Sequence, residues 1–182
     1  MKNTQIRNLI IGTTLLLFLY TLALTTNKEP AAAEYQPKEC STSPTNWTCD
    51  PELRVLTEAI YFESRGEYWT GQEAVGFVIV NRLKHPEFPD TIEDVVYQDA
   101  DKPNRCQFSY VCDGHSEKIR DLAAWEHCVV SAKRVYYGQA KDNTGGAIFY
   151  INREISTNQA FFDTLVPTKR IGSHIFYKPS RA

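Results

Sequence analysis

Leu53, Leu56, Ile60 and Tyr61 recur at three- and four-residue spacing, and Ser64-Arg65-Gly66 cuts the series off. That spacing puts the four side chains on one face of a helix starting at Pro51, and Gly66 suits a left-handed cap. A second series follows almost at once through Val75, Val78, Ile79 and Leu83, opened by Thr70-Gly71-Gln72-Glu73, which has the form of a capping box, and stopped by Pro86. Thr91 is placed to cap a short helix through Val95 and Val96. A polar loop runs from Gln98 to His115. Ser116 then caps a long helix whose stripe is Leu122, Trp125, Val129, Ala132 and Tyr136, ended by Gly138.

The last forty residues change period. After the turn Asn143-Thr144-Gly145-Gly146, the run Ala147-Ile148-Phe149-Tyr150-Ile151 is β-rich, and His174-Ile175-Phe176-Tyr177 reads as a second short strand. The fold class expected is α+β, mostly helical, with a small C-terminal β element.

Residues 9–24 are uncharged and rich in Leu and Ile, with Lys2 and Arg7 before them. A run of that length lies between a signal-peptide core and a membrane span. Positive charge ahead of it favours a cytoplasmic N-terminus and an exported body. The expected organisation is a signal anchor or signal peptide over 1–26, an extracytoplasmic Pro-containing linker over 27–50 and a catalytic domain over 51–182. Membrane anchoring is slightly preferred over cleavage, because Ala31-Ala32-Ala33 lies well past the apolar run.

Export permits disulfides. Of the five cysteines, Cys40 with Cys49 and Cys106 with Cys112 form two local pairs, leaving Cys128 among apolar neighbours as a buried hydrophobe. No cysteine pair has the two-residue spacing of a zinc site, and the four histidines are scattered, so neither metal nor cofactor is expected. A net charge of −2 with acidic and basic residues interspersed leaves no footprint for nucleic acid. A monomer is expected.

Tyr61-Phe62-Glu63-Ser64-Arg65-Gly66-Glu67 carries the chemistry. Glu63 falls where the first helix runs out, between aromatic residues. The negative end of the helix dipole and apolar neighbours both favour its neutral form, as a general acid at neutral pH requires. The alternative is a surface glutamate pairing with Arg65 or Lys84. Glu67, four residues on, suits a structural salt bridge better than catalysis.

At these residues the chain resembles the SleB-type cell wall hydrolases. The matching pieces are Glu58-Ala59-Ile60-Tyr61-Phe62-Glu63-Ser64-Arg65-Gly66-Glu67, Gly71-Gln72-Glu73-Ala74-Val75 and Val80-Asn81-Arg82. Gln107-Phe108-Ser109, Asp113-Gly114, Thr144-Gly145-Gly146-Ala147 and Ile171-Gly172-Ser173-His174 continue the match in order over about 120 residues. The resemblance implies a lysozyme-like, lytic-transglycosylase-related domain acting on the glycan strands of peptidoglycan, with Glu63 as catalytic residue. It also implies that Gln107, Phe108 and Ser109 line the glycan groove, Phe108 stacking on a sugar or packing on the core. Tyr150 and Asn152 are further substrate-binding candidates, on a strand that faces either the cleft or the core.

Hydrolysis with inversion or retention needs two carboxyl groups across the bond. Only one glutamate is marked here, which favours lytic transglycosylation: one carboxyl protonates the glycosidic oxygen and then accepts the proton of the sugar's C6 hydroxyl. A hydrolytic muramidase or glucosaminidase is the alternative enzyme, and a non-catalytic peptidoglycan-binding envelope protein the alternative of another class. Two departures from the family pattern stand out: an apolar stretch at Ile148-Phe149-Tyr150-Ile151-Asn152, and the cysteines flanking Gln107.

Overall fold

A computed structural model describes residues 40–102, 105–152 and 159–180. A two-residue hairpin, β1 (Thr42–Ser43) and β2 (Asn46–Trp47), precedes α1 (Pro51–Ser64) and α2 (Trp69–Arg82). After them come α3 (Ile92–Val96), a 3₁₀ turn (Ser109–Val111), α4 (Leu122–Tyr136), β3 (Phe149–Ile151), α5 (Gln159–Phe162), β4 (Val166–Ile171) and β5 (His174–Lys178). The last three strands form an antiparallel sheet in the order β3-β5-β4, with an irregularity between Pro167 and Lys169. The described residues are α+β and mostly helical.

The core is the meeting of α1, α2 and α4. Leu53, Leu56 and Ile60 of α1 pack with Val75 and Ile79 of α2 and with Trp125, Val129 and Ala132 of α4, all nearly or fully buried. Gly76 lets the helices come this close: a Cβ there would stand 3.1 Å from Ile60 Cδ1 and 3.4 Å from a methyl of Val135. The sheet attaches through a smaller cluster of Ala74, Val78, Ala147 and Phe176.

Several local expectations need correction. Gly66 is not left-handed: α1 closes on Arg65 in right-handed geometry, and Glu67 N donates to Ser64 O at 2.9 Å, a tight turn leading straight into α2. Thr70-Gly71-Gln72-Glu73 is not a capping box, because α2 starts earlier, at Trp69, without a side-chain cap. Glu73 instead reaches Arg134 of α4 at 2.5 Å. Ser116 does not cap α4, since Tyr61 Oη accepts from Arg120 N and Asp121 N and holds that stretch non-helical. Asp121 is the cap, taking Ala124 N at 3.0 Å. Leu122, placed on the buried stripe by spacing, is 58% exposed because it occupies the first turn. Gly138 does end α4, at φ 67°.

The segment 40–50, expected to be linker, is folded. A Cys40–Cys49 disulfide closes it. Trp47 meets Trp125 edge-on at 6.0 Å, and Trp125 Nε1 donates to Thr42 O at 2.8 Å. Two indoles thereby fasten the hairpin to the core. Residues 1–26 and the rest of the expected linker lie outside the described residues. Among the described residues no helix is long and apolar enough to cross a membrane.

Candidate active site

Glu63 occupies the last turn of α1 and faces a cleft of about 1440 Å³. The end of α1, the segment around Cys106–Cys112, β3, α5 and the start of β5 supply its lining. Phe62, the neighbour of Glu63, stacks on Tyr110 at 4.7 Å and 19°, tying the end of α1 to the 3₁₀ turn. The Cys106–Cys112 bridge closes that segment, with Cα atoms 6.4 Å apart. Cys128 is free and buried, and its apolar surroundings push the thiol up to about 12.

Tyr150 of β3 donates from Oη to Glu63 Oε2 at 2.8 Å. The ring that carries this hydroxyl is held by two neighbours. The His174 ring meets the Tyr150 ring edge-on at 5.2 Å, Phe176 lies at 5.9 Å, and pairing of Tyr150 with Phe176 in the sheet sets its register. Burial raises the Glu63 carboxyl above its ordinary range, and the nearby Asp113 adds to this. The Tyr150 hydrogen bond and the Arg82 charge pull the other way. Desolvation wins. Neither alternative partner proposed for Glu63 takes it, and the Arg65 guanidinium instead lies over the Tyr61 ring at 5.1 Å.

Arg82, the last residue of α2, also lines the cleft, though it is only 4% exposed. Its Nε donates to Ile148 O at 2.8 Å, two residues before Tyr150. Its guanidinium lies 4.9 Å from the Phe88 ring, 5.4 Å from Phe108 and 5.7 Å from Phe149. Burial lowers it to about 10.

Of the residues expected to contact glycan, Gln107, Ser109, Tyr150 and Asn152 line the cleft together with Glu63. Phe108 does not. It is 1% exposed, turned inward beneath Arg82, so the core alternative holds and sugar stacking by this ring is excluded. Glu67 stands outside the lining. Its Oε1 accepts from Ser173 N at 3.2 Å and from Ser173 Oγ, clamping the turn between β4 and β5. Gly172 in that turn has φ 58°, and a Cβ there would sit 1.8 Å from Glu67 Oε2. The role of Glu67 is structural, as a hydrogen-bonded clamp.

Sequence patterning passed over Arg82, Tyr110, Asp113 and His174 as site residues. Arg82, though it ends the matched piece Val80-Asn81-Arg82, reads as an ordinary cation in a last helical turn, and Tyr110 as one more residue of a polar loop. Asp113 and His174 fall in the matched pieces, but nothing local marks them. Burial separates His174 from a surface histidine: its Nδ1 is enclosed without a hydrogen-bond partner, and desolvation lowers its pKa.

The family described as Cell Wall Hydrolase matches residues 66–177. The chain belongs to that family. Among its relatives is a spore cortex-lytic enzyme of Halalkalibacterium halodurans, 34% identical over 127 residues, covering 70% of this chain and 34% of the relative. The Bacillus subtilis spore cortex-lytic enzyme is 31% identical over 150 residues, covering 82% and 45%. The chain thus spans about half or less of the length of these cell wall hydrolases. Of solved structures, the catalytic domain of the germination-specific lytic transglycosylase SleB from Bacillus anthracis aligns with TM-score 0.55 and 32% identity, over 72% of this chain and 97% of that one. The Bacillus cereus SleB catalytic domain aligns at 0.52 and 31%, over 70% and 89%.

Proposed function

We propose that this cell wall hydrolase cleaves the glycan strand of peptidoglycan as a lytic transglycosylase, with Glu63 as acid and then base. The observation that carries this is the half-buried Glu63–Tyr150 pair in the cleft. Glu63, biased toward its neutral form by desolvation, gives its proton to the glycosidic oxygen as the bond from C1 to that oxygen breaks. The resulting carboxylate, steadied by the Tyr150 hydroxyl, accepts the proton of the C6 hydroxyl while the C6 oxygen closes on C1. One carboxyl serves both transfers, and a 1,6-anhydro sugar results. Gln107, Ser109 and Asn152 supply hydrogen bonds along the strand.

One observation favours the hydrolytic alternative: Asp113 lines the same cleft and lies near enough to act on Glu63. A second carboxyl across the bond would make water the acceptor. Asp113→Asn separates the two activities, because a transglycosylase keeps its turnover and a two-carboxylate hydrolase loses it.

Relatives whose names place them at the spore cortex support action outside the cytoplasm. With them goes a monomeric catalytic unit, exported by residues 1–26, retained at the membrane by that segment or secreted on its cleavage, and spaced by the Pro-containing residues that follow. Zymography tests the activity: the purified domain clears a peptidoglycan gel, Glu63→Gln leaves none, and absence of clearing by the folded wild type would favour a binding protein.

A further inference from the structure

Arg82 is a buried cation that makes no ion pair with the described residues. Among the described residues no carboxylate lies within ion-pair distance of it, whereas Arg134 on the neighbouring helix takes Glu73. Its Nη1 is enclosed and makes no hydrogen bond, and Nε is spent on Ile148 O. Burying a charge unpaired is costly, and such a group in a native fold calls for a reason. Three phenylalanine rings hold it, offering their negative faces but no proton acceptor. The charge is therefore screened from water yet not neutralised, and its field reaches the groups that share its end of the cleft. Those groups are Glu63 and Tyr150, the two on which it acts.

We propose that Arg82 is a positioning residue for the glycan-cleaving step: a caged guanidinium whose uncompensated charge stabilises the Glu63 carboxylate formed when the acid gives up its proton. Desolvation alone would make Glu63 hold its proton well but release it poorly. The Tyr150 hydrogen bond and the Arg82 field together let the anion exist in the same half-buried site. Arg82 also fixes Tyr150, since the carbonyl it holds belongs to Ile148, at the entry to β3. Arg65, Arg105, His115, Lys118, Arg120, Asp121 and His174 also line the cleft. The titratable groups that act on Glu63 are Tyr150 from β3, Arg82 from α2 and Asp113 from the segment beyond Cys112. The Tyr110 hydroxyl of the 3₁₀ turn feels Glu63 in return. Only Arg82 among the groups that act on Glu63 is a cation.

The assignment rests on Glu63 as the acid. Its test is the pH dependence of muropeptide release by Arg82→Met, which fills the cage without the charge, and by Arg82→Lys, which keeps the charge. In the wild type, kcat/KM falls on the alkaline side as Glu63 loses its proton. Without the cation Glu63 holds that proton more tightly, so in Arg82→Met the alkaline limb moves up by about one to two pH units. An opposite charge nearby shifts a carboxyl by that order. The value of kcat at the optimum falls by about 10- to 100-fold, with KM little changed because Arg82 scarcely reaches the cleft surface. Arg82→Lys returns the limb close to its wild-type position. Should Arg82→Met fail to fold, Phe88→Leu, which admits water to one side of the guanidinium, moves the limb the same way by a smaller step. A limb that stays in place in a folded Arg82→Met or Phe88→Leu protein overturns the proposal. Retained activity in Glu63→Gln would instead remove the proposed function beneath it.

Discussion

At the scale of single residues, Glu63 is defined by what surrounds it. A carboxyl that titrates above its ordinary range binds its proton more tightly folded than unfolded. The folded state therefore loses stability as pH rises from the ordinary value of 4.5 to the raised one, and the loss is complete above that. Glu63→Gln removes the penalty, so its Tm should exceed the wild-type value at neutral pH and converge with it below pH 4.5. Parallel curves across that range would mean that burial costs Glu63 nothing. The same substitution should lower activity by about 10²–10⁴-fold, the loss typical of a missing general acid. Tyr150→Phe should lose about 10- to 100-fold in kcat, since hydrogen bonds to charged groups are worth about 1.5–3 kcal/mol. An unchanged kcat would make Tyr150 a packing residue. The place of Glu63 at a helix end among aromatics made it a candidate, and the family resemblance, not those neighbours, singled it out. Tyr150 and His174 were not legible as its supports, because they come from strands about ninety and a hundred and ten residues further along the chain.

Among the elements, the helices were readable and their caps only in part: Thr91 does cap α3, its Oγ1 accepting from Asp94 N at 3.1 Å, as its place predicted. The spacing of Leu53, Leu56 and Ile60, and of Val75, Val78 and Ile79, shows directly which faces α1 and α2 bury. Ser116 and Thr70 are good cap residues by type, but Tyr61 Oη holds the backbone ahead of α4 through Arg120 N and Asp121 N, and α2 starts before Thr70. β4 escaped notice because Val166–Ile171 is mostly exposed and carries Pro167, Lys169 and Arg170. The turn between β4 and β5 gives a direct test of the Glu67 clamp. Gly172→Ala puts a methyl group on the Glu67 carboxylate at a positive φ, and should destabilise the domain by about 1–3 kcal/mol in denaturant titration. A neutral result would show that the clamp opens freely. Replacing Cys106 and Cys112 by serine should cost about 2–3 kcal/mol. It should also raise KM, because the segment that carries Gln107 and Ser109 along the cleft loses its closure. Wild-type stability and KM in the double variant would count against both effects.

For the whole molecule, the folded unit begins earlier than composition suggested. Proline and threonine around Cys40 imply a linker, yet Trp47 docks on Trp125 and carries that segment into the core. An indole in a polar stretch was the available signal, and its partner lay too far along the chain to be recognised. Residues 9–24 should direct export and stay attached. Intact-mass measurement of the mature protein checks this: an N-terminus at Glu34 would end the anchor, and active unprocessed protein in the cytoplasm would end export as well. The central claim concerns the bond broken and how the new end is sealed. Mass spectrometry of muropeptides released by the purified domain reads both at once. The account predicts 1,6-anhydro ends in the wild-type digest and none with Glu63→Gln; free reducing ends, or released stem peptides with the glycan intact, would contradict it.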